Sequence, residues 1–248
     1  MLPINRLVPH VSRRSLSTIP TPGLYELRSY TLHPSGVDSF TALCTTSAPL
    51  RKSMLPLRLF TLPETGGMLN VAQHLYYYPT LAARTAARTV SGASPEWKSF
   101  VNTSREFVAK QDSTLYQQAP QAILDAGGAP GGQWVGCEER GIYEYRRYRL
   151  KLGYDTVPAF YELYEAGLPS KTKNQHDGTM LTTVMHSDIG VLNEVIEIWR
   201  HESLEGMEQS RVMAREVGEW REASGEIAKL AVQFQNSVHR PVSFSPWK

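Results

Sequence analysis

The chain has 248 residues, 41% of them hydrophobic and 20% charged, with a formal net charge of +2. That composition describes an ordinary globular protein, and no apolar run approaches the roughly 18–20 residues that a membrane span needs. So small a charge, with no basic stripe, gives no reason to expect a nucleic-acid partner, and two cysteines, Cys44 and Cys137, are too few for a disulfide framework and point to a compartment where thiols stay reduced.

Residues 1–22 carry Arg6, His10, Arg13 and Arg14, several Ser and Thr, and no acid; the first carboxylate is Glu26. Ile4, Leu7, Val8 and Val11 recur with helical spacing, interrupted by Pro3 and Pro9. A secretory signal would need a continuous apolar core, so the segment is expected to be a mitochondrial transit peptide addressed to the matrix. Arg14-Ser15-Leu16-Ser17-Thr18 resembles a matrix-protease cleavage sequence. Loss of the leader removes three arginines and leaves 23 basic against 24 acidic residues.

Leu24 to Leu32 alternates and is rich in Tyr and Leu, which predicts a first strand. Pro34, Ser35 and Gly36 end it, and Val37, Phe40, Leu43 and Cys44 then recur as on a helix running toward Pro49. Leu55 to Leu62 reads as a second strand, Pro63 to Gly67 as a hairpin turn and Met68 to Tyr78 as a third strand. An Ala-rich helix over Leu81 to Val90 precedes Ser94-Pro95-Glu96, a helix start with a capping Ser, Pro at the first position and an acid at the positive end of the dipole. Trp97, Phe100, Val101, Phe107 and Val108 form the predicted stripe of that helix, and Ser113 to Gln117 a fourth strand. Ala119 to Arg140, with two prolines and five glycines, reads as a linker. Beyond it come a strand from Ile142 to Leu152, a helix carrying Val157, Phe160, Leu163 and Tyr164, a strand from Thr179 to His186, a turn at 187–190 and a strand from Val191 to Arg200. From Ser203 a helical stretch is expected to run with Trp220, Ile227, Leu230, Ala231 and Phe234 on its apolar stripe.

The second half repeats the first. Gly23-Leu24-Tyr25-Glu26-Leu27-Arg28-Ser29-Tyr30-Thr31-Leu32 returns as Gly141-Ile142-Tyr143-Glu144-Tyr145-Arg146-Arg147-Tyr148-Arg149-Leu150, with six of ten positions identical at a shift of 118. Gly67-Met68-Leu69-Asn70 returns as Gly190-Val191-Leu192-Asn193, and Trp97 as Trp220, at a shift of 123. The expected architecture is therefore α+β: two tandem ferredoxin-like βαββαβ repeats, 23–118 and 141–248, joined by the Gly/Pro-rich linker 119–140. Each would have helices on one face of its sheet, and the two bare faces would meet, face to face or curled into a barrel.

Tyr25-Glu26-Leu27-Arg28 followed by Tyr30, the Asn70 to Tyr76 segment with His74, the pair Arg84 and Arg88, Trp97, and the terminal Ser243-Phe244-Ser245-Pro246-Trp247-Lys248 together resemble the NIPSNAP family over nearly all of residues 23–248. The resemblance implies a dimeric α/β-barrel type fold in tandem domains, a mitochondrial address, and a role in vesicle traffic or mitochondrial quality control. It brings no shared catalytic reaction. Tyr76 departs from the family pattern, where a Trp is usual, although the second copy keeps Trp199.

Strand alternation sets Glu26, Arg28 and Tyr30 on one side of the first strand, and Glu144, Arg146 and Tyr148 on the equivalent side of its copy. On the third strands His74 and Tyr76 match Glu197 and Trp199. If these faces turn inward, the ten side chains line a polar barrel cavity able to hold a ligand, with His74 and Glu197 meeting near the pseudo-two-fold axis as an acid–base pair. The structural reading is that each Glu and Arg neutralise each other across a sheet interface. No phosphate loop, nucleophile elbow, dinucleotide fingerprint or metal-spaced His/Cys cluster occurs in the sequence. No catalytic residue, metal or cofactor is therefore assigned. The leading expectation is a non-catalytic factor that binds other proteins or a small-molecule ligand, itself a homo-oligomer. The alternative is an enzyme of the dimeric α/β-barrel class, an oxygenase, isomerase or haem binder, using the barrel cavity.

Overall fold

The computed structural model describes residues 23–127, 136 and 139–248; the expected leader and Cys137 lie outside them. In chain order the first repeat comprises β1 (Leu24–Leu32), a single 3-10 turn, α1 (Val37–Thr46), α2 (Ala48–Met54), β2 (Leu57–Thr65), β3 (Val71–Tyr78), α3 (Leu81–Ala93), α4 (Pro95–Arg105) and β4 (Val108–Gln118). A short α5 (Gln121–Ala126) lies within the stretch expected to be linker. The second repeat follows with β5 (Ile142–Leu150), α6 (Thr156–Lys173), β6 (Met180–Ile189), β7 (Glu194–His201), α7 (Leu204–Glu216), α8 (Gly218–Leu230) and β8 (Ala231–Pro241).

The strands close one barrel in the order β1-β3-β2-β8-β5-β7-β6-β4. Each repeat ends in two edge strands, and each edge pairs antiparallel with an edge of the other repeat, Thr61 opposite Pro241 on β2·β8 and Gln117 opposite His186 on β4·β6. Closure removes every exposed edge. An eight-stranded barrel has an interior that side chains just fill; here Tyr25, Leu27, Leu75, Tyr143, Tyr145, Ile196, Ile198 and others occupy it, and Trp247 from the C-terminal tail packs among them.

That filling corrects the expected orientation. Tyr25 and Leu27 point inward, so the alternate residues of β1 point outward, into a core beneath α1, α2 and α4 that contains Leu24, Leu32, Phe40, Phe60, Tyr76 and Trp97. The second repeat does the same with Tyr148, Phe160, Tyr164, Trp199 and Trp220. Glu26, Arg28, Tyr30, His74, Tyr76, Glu144, Arg146, Tyr148, Glu197 and Trp199 thus face the helices, not the lumen. His74 on β3 and Glu197 on β7 lie four strands apart around an eight-stranded barrel, on opposite sides, so they do not form a pair.

Two segment boundaries are also corrected. Ala231 and Phe234 belong to β8, and Phe107 and Val108 lie past the end of α4. The helical stretch from Ser203 is two helices, divided at Val217.

A buried ion cluster and cavity in each repeat

The helix layer of each repeat covers a carboxylate on its first strand. Glu26 is fully buried and accepts hydrogen bonds from Arg28 Nη1 (3.0 Å), Arg84 Nε (3.0 Å), Arg88 Nη2 (2.8 Å) and Ser113 Oγ (2.9 Å). Arg84 and Arg88 are one turn apart on α3, whose N-terminus is held by Thr80 Oγ1 accepting from the Ala83 amide, so both guanidiniums reach the same carboxylate. Burial alone would raise the Glu26 carboxyl; the hydrogen bonds and charges of Arg84, Arg88 and Arg28 bring it down to about 2. His74 stacks on Phe60 at 4.0 Å with neither ring nitrogen partnered. Burial and three nearby arginines hold it neutral.

Arg51 of α2 lies above this cluster. It is 3% exposed, donates to the Tyr76 hydroxyl at 2.6 Å and to Cys44 Sγ at 3.7 Å, and its guanidinium sits over Phe60, Trp97 and Phe100. A cavity of about 190 Å³ opens between Arg28, Arg51, Arg88, Trp97, Phe100 and the α4 residues Val101, Ser104 and Arg105.

In the second repeat Glu144 accepts from Arg211 Nη2 (2.8 Å), from His201 Nε2 (3.2 Å) and from Asn236. Burial works against ionisation, yet His201, Arg146 and Arg211 hold the carboxyl far below the usual carboxylate range. Arg146 stands between two acids, 3.9 Å from Glu144 and 3.6 Å from Glu197, which also accepts from Trp199 Nε1 at 2.6 Å. Lys171 of α6 is 6% exposed, with its Nζ 3.5 Å from the Trp199 ring centroid and 4.6 Å from that of Trp220, and among the described residues it forms no ion pair within 4 Å. Burial, reinforced by the Arg146 charge and only partly offset by the more distant Glu197 and Glu144, lowers its ammonium to about 7. The cavity here measures about 540 Å³; Lys171, Trp199, Trp220 and Phe234 meet Arg211, Arg215 and Arg221 along its wall.

The structure therefore gathers Glu26, Arg28, Tyr30, His74 and Tyr76 in one layer, and Glu144, Arg146, Tyr148, Glu197 and Trp199 in another. It does not bring the two sets together. Arg51 and Lys171 were missed by sequence reasoning, although a signal exists. Each stands seven residues beyond a buried stripe position, Cys44 or Tyr164, and each follows a proline by two residues, Pro49 or Pro169. A cation on an apolar stripe, repeated at a shift of 120, marks the position. Among the described residues no three His, Cys, Asp or Glu side chains gather as metal ligands would, and no helix is long and apolar enough to cross a membrane.

A family model for NIPSNAP matches residues 25–122 and 143–246. Protein NipSnap homolog 3A of Homo sapiens is 27% identical over 226 residues, covering 90% of this chain and 85% of that protein. Protein NipSnap homolog 3B of Mus musculus is 27% identical over 228 residues with the same coverage. Among solved structures, a candidate monooxygenase from Fusobacterium nucleatum superposes with a TM-score of 0.65 at 6% identity, over 90% of this chain and 94% of its own. At that identity the likeness concerns the fold alone, a dimeric α/β-barrel.

Proposed function

The chain belongs to the NIPSNAP family, and from that premise we propose a non-catalytic binding factor that holds a small organic anion in the cavity of its second repeat. One observation carries the reading: Lys171 is a buried cation that forms no ion pair among the described residues, and it lines a cavity of about 540 Å³ in which Arg146, Arg211, Arg215 and Arg221 outnumber the one acid, Glu144. Burying a cation without a counter-charge is costly, and a ligand carboxylate or phosphate would supply that charge while the indoles of Trp199 and Trp220 and the ring of Phe234 pack its apolar body. The volume is within the range that small-molecule sites occupy.

The test is thermal melting with an aromatic carboxylate such as indole-3-acetate and with its neutral amide. The acid is expected to raise Tm and the amide not to, and Lys171→Met is expected to abolish the rise. Equal shifts from acid and amide, or none from either, overturn the reading. In the same proposal the leader over 1–22 delivers the protein to the mitochondrial matrix, where it serves the quality-control or traffic role that the resemblance implies. Sequencing the N-terminus of the protein recovered from cells tests this, since a chain that still begins at Met1 overturns it.

One observation favours a catalytic reading. A lysine with its ammonium at about 7 is a neutral amine in a substantial fraction of molecules at physiological pH, as carbonyl chemistry requires. Borohydride reduction in the presence of a 2-oxo acid would then leave a mass adduct on Lys171, and an unchanged mass removes this alternative.

A further inference from the structure

The first repeat carries a larger excess of buried cations over acids than the second. Its buried cluster sets Arg28, Arg84 and Arg88 against the single carboxylate of Glu26. Arg51 adds a fourth guanidinium whose partners are a hydroxyl, a thiol and three aromatic rings. Its Nε is buried without a hydrogen-bond partner, whereas a guanidinium has five N–H groups to satisfy. In the second repeat two acids, Glu144 and Glu197, face Arg146, Arg211 and the buried Lys171, an excess of one cation where the first repeat has an excess of three. The surplus cation of the first repeat borders a cavity of about 190 Å³ in which Arg28, Arg88 and Arg105 also take part, and among the described residues no acid lines that cavity. Its volume corresponds to roughly six waters at about 30 Å³ each. That admits one oxyanion with part of its hydration.

We propose that the cavity between β1, α2 and α4 is a binding site for one small oxyanion of carboxylate or phosphate size, held by Arg51 with Arg28 and Arg88 and drawn in past Arg105 at the exposed rim. Guanidinium forks match the oxygen spacing of both anions. The aromatic rings behind Arg51 fix the plane of its fork, and Tyr76 and Glu26 orient the flanking groups. This site is independent of the second cavity and stands whether or not that cavity holds an organic acid.

The experiment is calorimetric titration of the full-length protein with inorganic phosphate, sulfate and acetate at fixed ionic strength, chloride being the balancing salt. In Lys171→Met protein, whose second cavity has lost its buried cation, saturable binding of at least one oxyanion at one site per chain is expected, weakened at least tenfold when Arg51→Met is added. Lys171→Met protein that takes up none of the three overturns the proposal, as does binding in that background that survives Arg51→Met. Binding lost in Lys171→Met but kept in Arg51→Met would assign the anion to the second repeat and overturn it too. Should Arg51→Met not fold, Arg105→Gln at the exposed rim carries the test: about threefold weaker binding with a shallower salt dependence is expected, and unchanged affinity overturns the proposal. The preference among the anions separates a planar carboxylate site from a tetrahedral one.

Discussion

The two cavities share one plan and differ in their walls. Glu26 and Glu144, Arg28 and Arg146, Arg88 and Arg211, Trp97 and Trp220, and the cations Arg51 and Lys171 occupy equivalent places in the two repeats. The residues of α4 that crowd the first cavity, Phe100, Val101 and Arg105, correspond to Ala223, Ser224 and Ala228 on α8. The first cavity is accordingly about 190 Å³ and the second about 540 Å³. The carboxylate floor, a costly buried charge, stays the same, while volume and residual charge change in the covering helix. Recognition can diverge there without disturbing the barrel.

The largest effect is expected where the partners of the two floor carboxylates differ. Glu26→Gln leaves three arginines converging on a neutral amide, a broken buried network that costs about 3–5 kcal/mol. Glu144→Gln strands one guanidinium at 2.8 Å and another at 3.9 Å, its other partners being the neutral Asn236 amide and His201, and with fewer charges facing the amide it is expected to cost less. Urea denaturation of the two variants makes the comparison, and equal losses break it. Acid titration of the wild type sharpens it. A carboxyl depressed from 4.5 to about 2 stabilises the fold fully above about 4.5, and that stability is lost as pH falls toward 2.

Both faces of β1 and β5 are buried, one under helices and one in the lumen, and this explains what was legible. Period-two alternation separated the ten candidate residues from Tyr25, Leu27, Tyr143 and Tyr145, and the repeat placed them twice. Alternation cannot say which buried face is the interior. Polarity misleads here, because the charged face is covered by Arg84, Arg88 and Arg211 arriving from helices whose docking no local pattern reveals. The start of β8 was hidden for a related reason. Leu230, Ala231 and Phe234 continue the helical spacing of α8 with no Gly or Pro between them, and only pairing with β5 and β2 pulls residues 231–241 into the sheet.

A smaller effect is expected at Gly167. The first repeat breaks its helix at the equivalent Ser47, whereas α6 runs through, and a Cβ on Gly167 would lie 2.5 Å from that of Ala223. Both atoms are fixed to backbone, so α8 must move away. Gly167→Ala is expected to destabilise by about 1–3 kcal/mol, readable as a lower urea midpoint, while Ser47→Ala is expected to change it little.

Lys171→Met should act in the opposite direction. An ammonium lowered from 10.5 to about 7 means that the unfolded chain binds a proton that the folded one lacks between those values. Stability from this group therefore falls as pH drops from about 10 to 7 and is level below. The cost approaches about 5 kcal/mol before the two indoles return roughly 2 by cation–π attraction. The variant should gain about 2–3 kcal/mol at pH 7 and lose that part of the pH slope, in melts from pH 6 to 10. Arg51→Met removes a guanidinium charged throughout that range, so no comparable slope should disappear.

The smallest effect on stability tests the wall itself. Ser224 is half-buried and donates to the Trp220 carbonyl at 2.7 Å within its own helix, a bond that adds little to a helix already closed. Valine, the residue at the equivalent position 101, carries one γ-atom more, which the open cavity can accommodate, so Ser224→Val is expected to shift stability by no more than about 0.5 kcal/mol. Its methyls project where the hydroxyl left polar space, beside Trp220 and Phe234. If wall residues set what each repeat accepts, an organic anion should bind the variant about tenfold more weakly, a loss of about 1.4 kcal/mol. The reciprocal Val101→Ser should enlarge the first cavity and weaken its preference for small oxyanions. Unaltered affinities in both variants would return the control of specificity to the conserved floor, since only the floor would then be common to every protein tested.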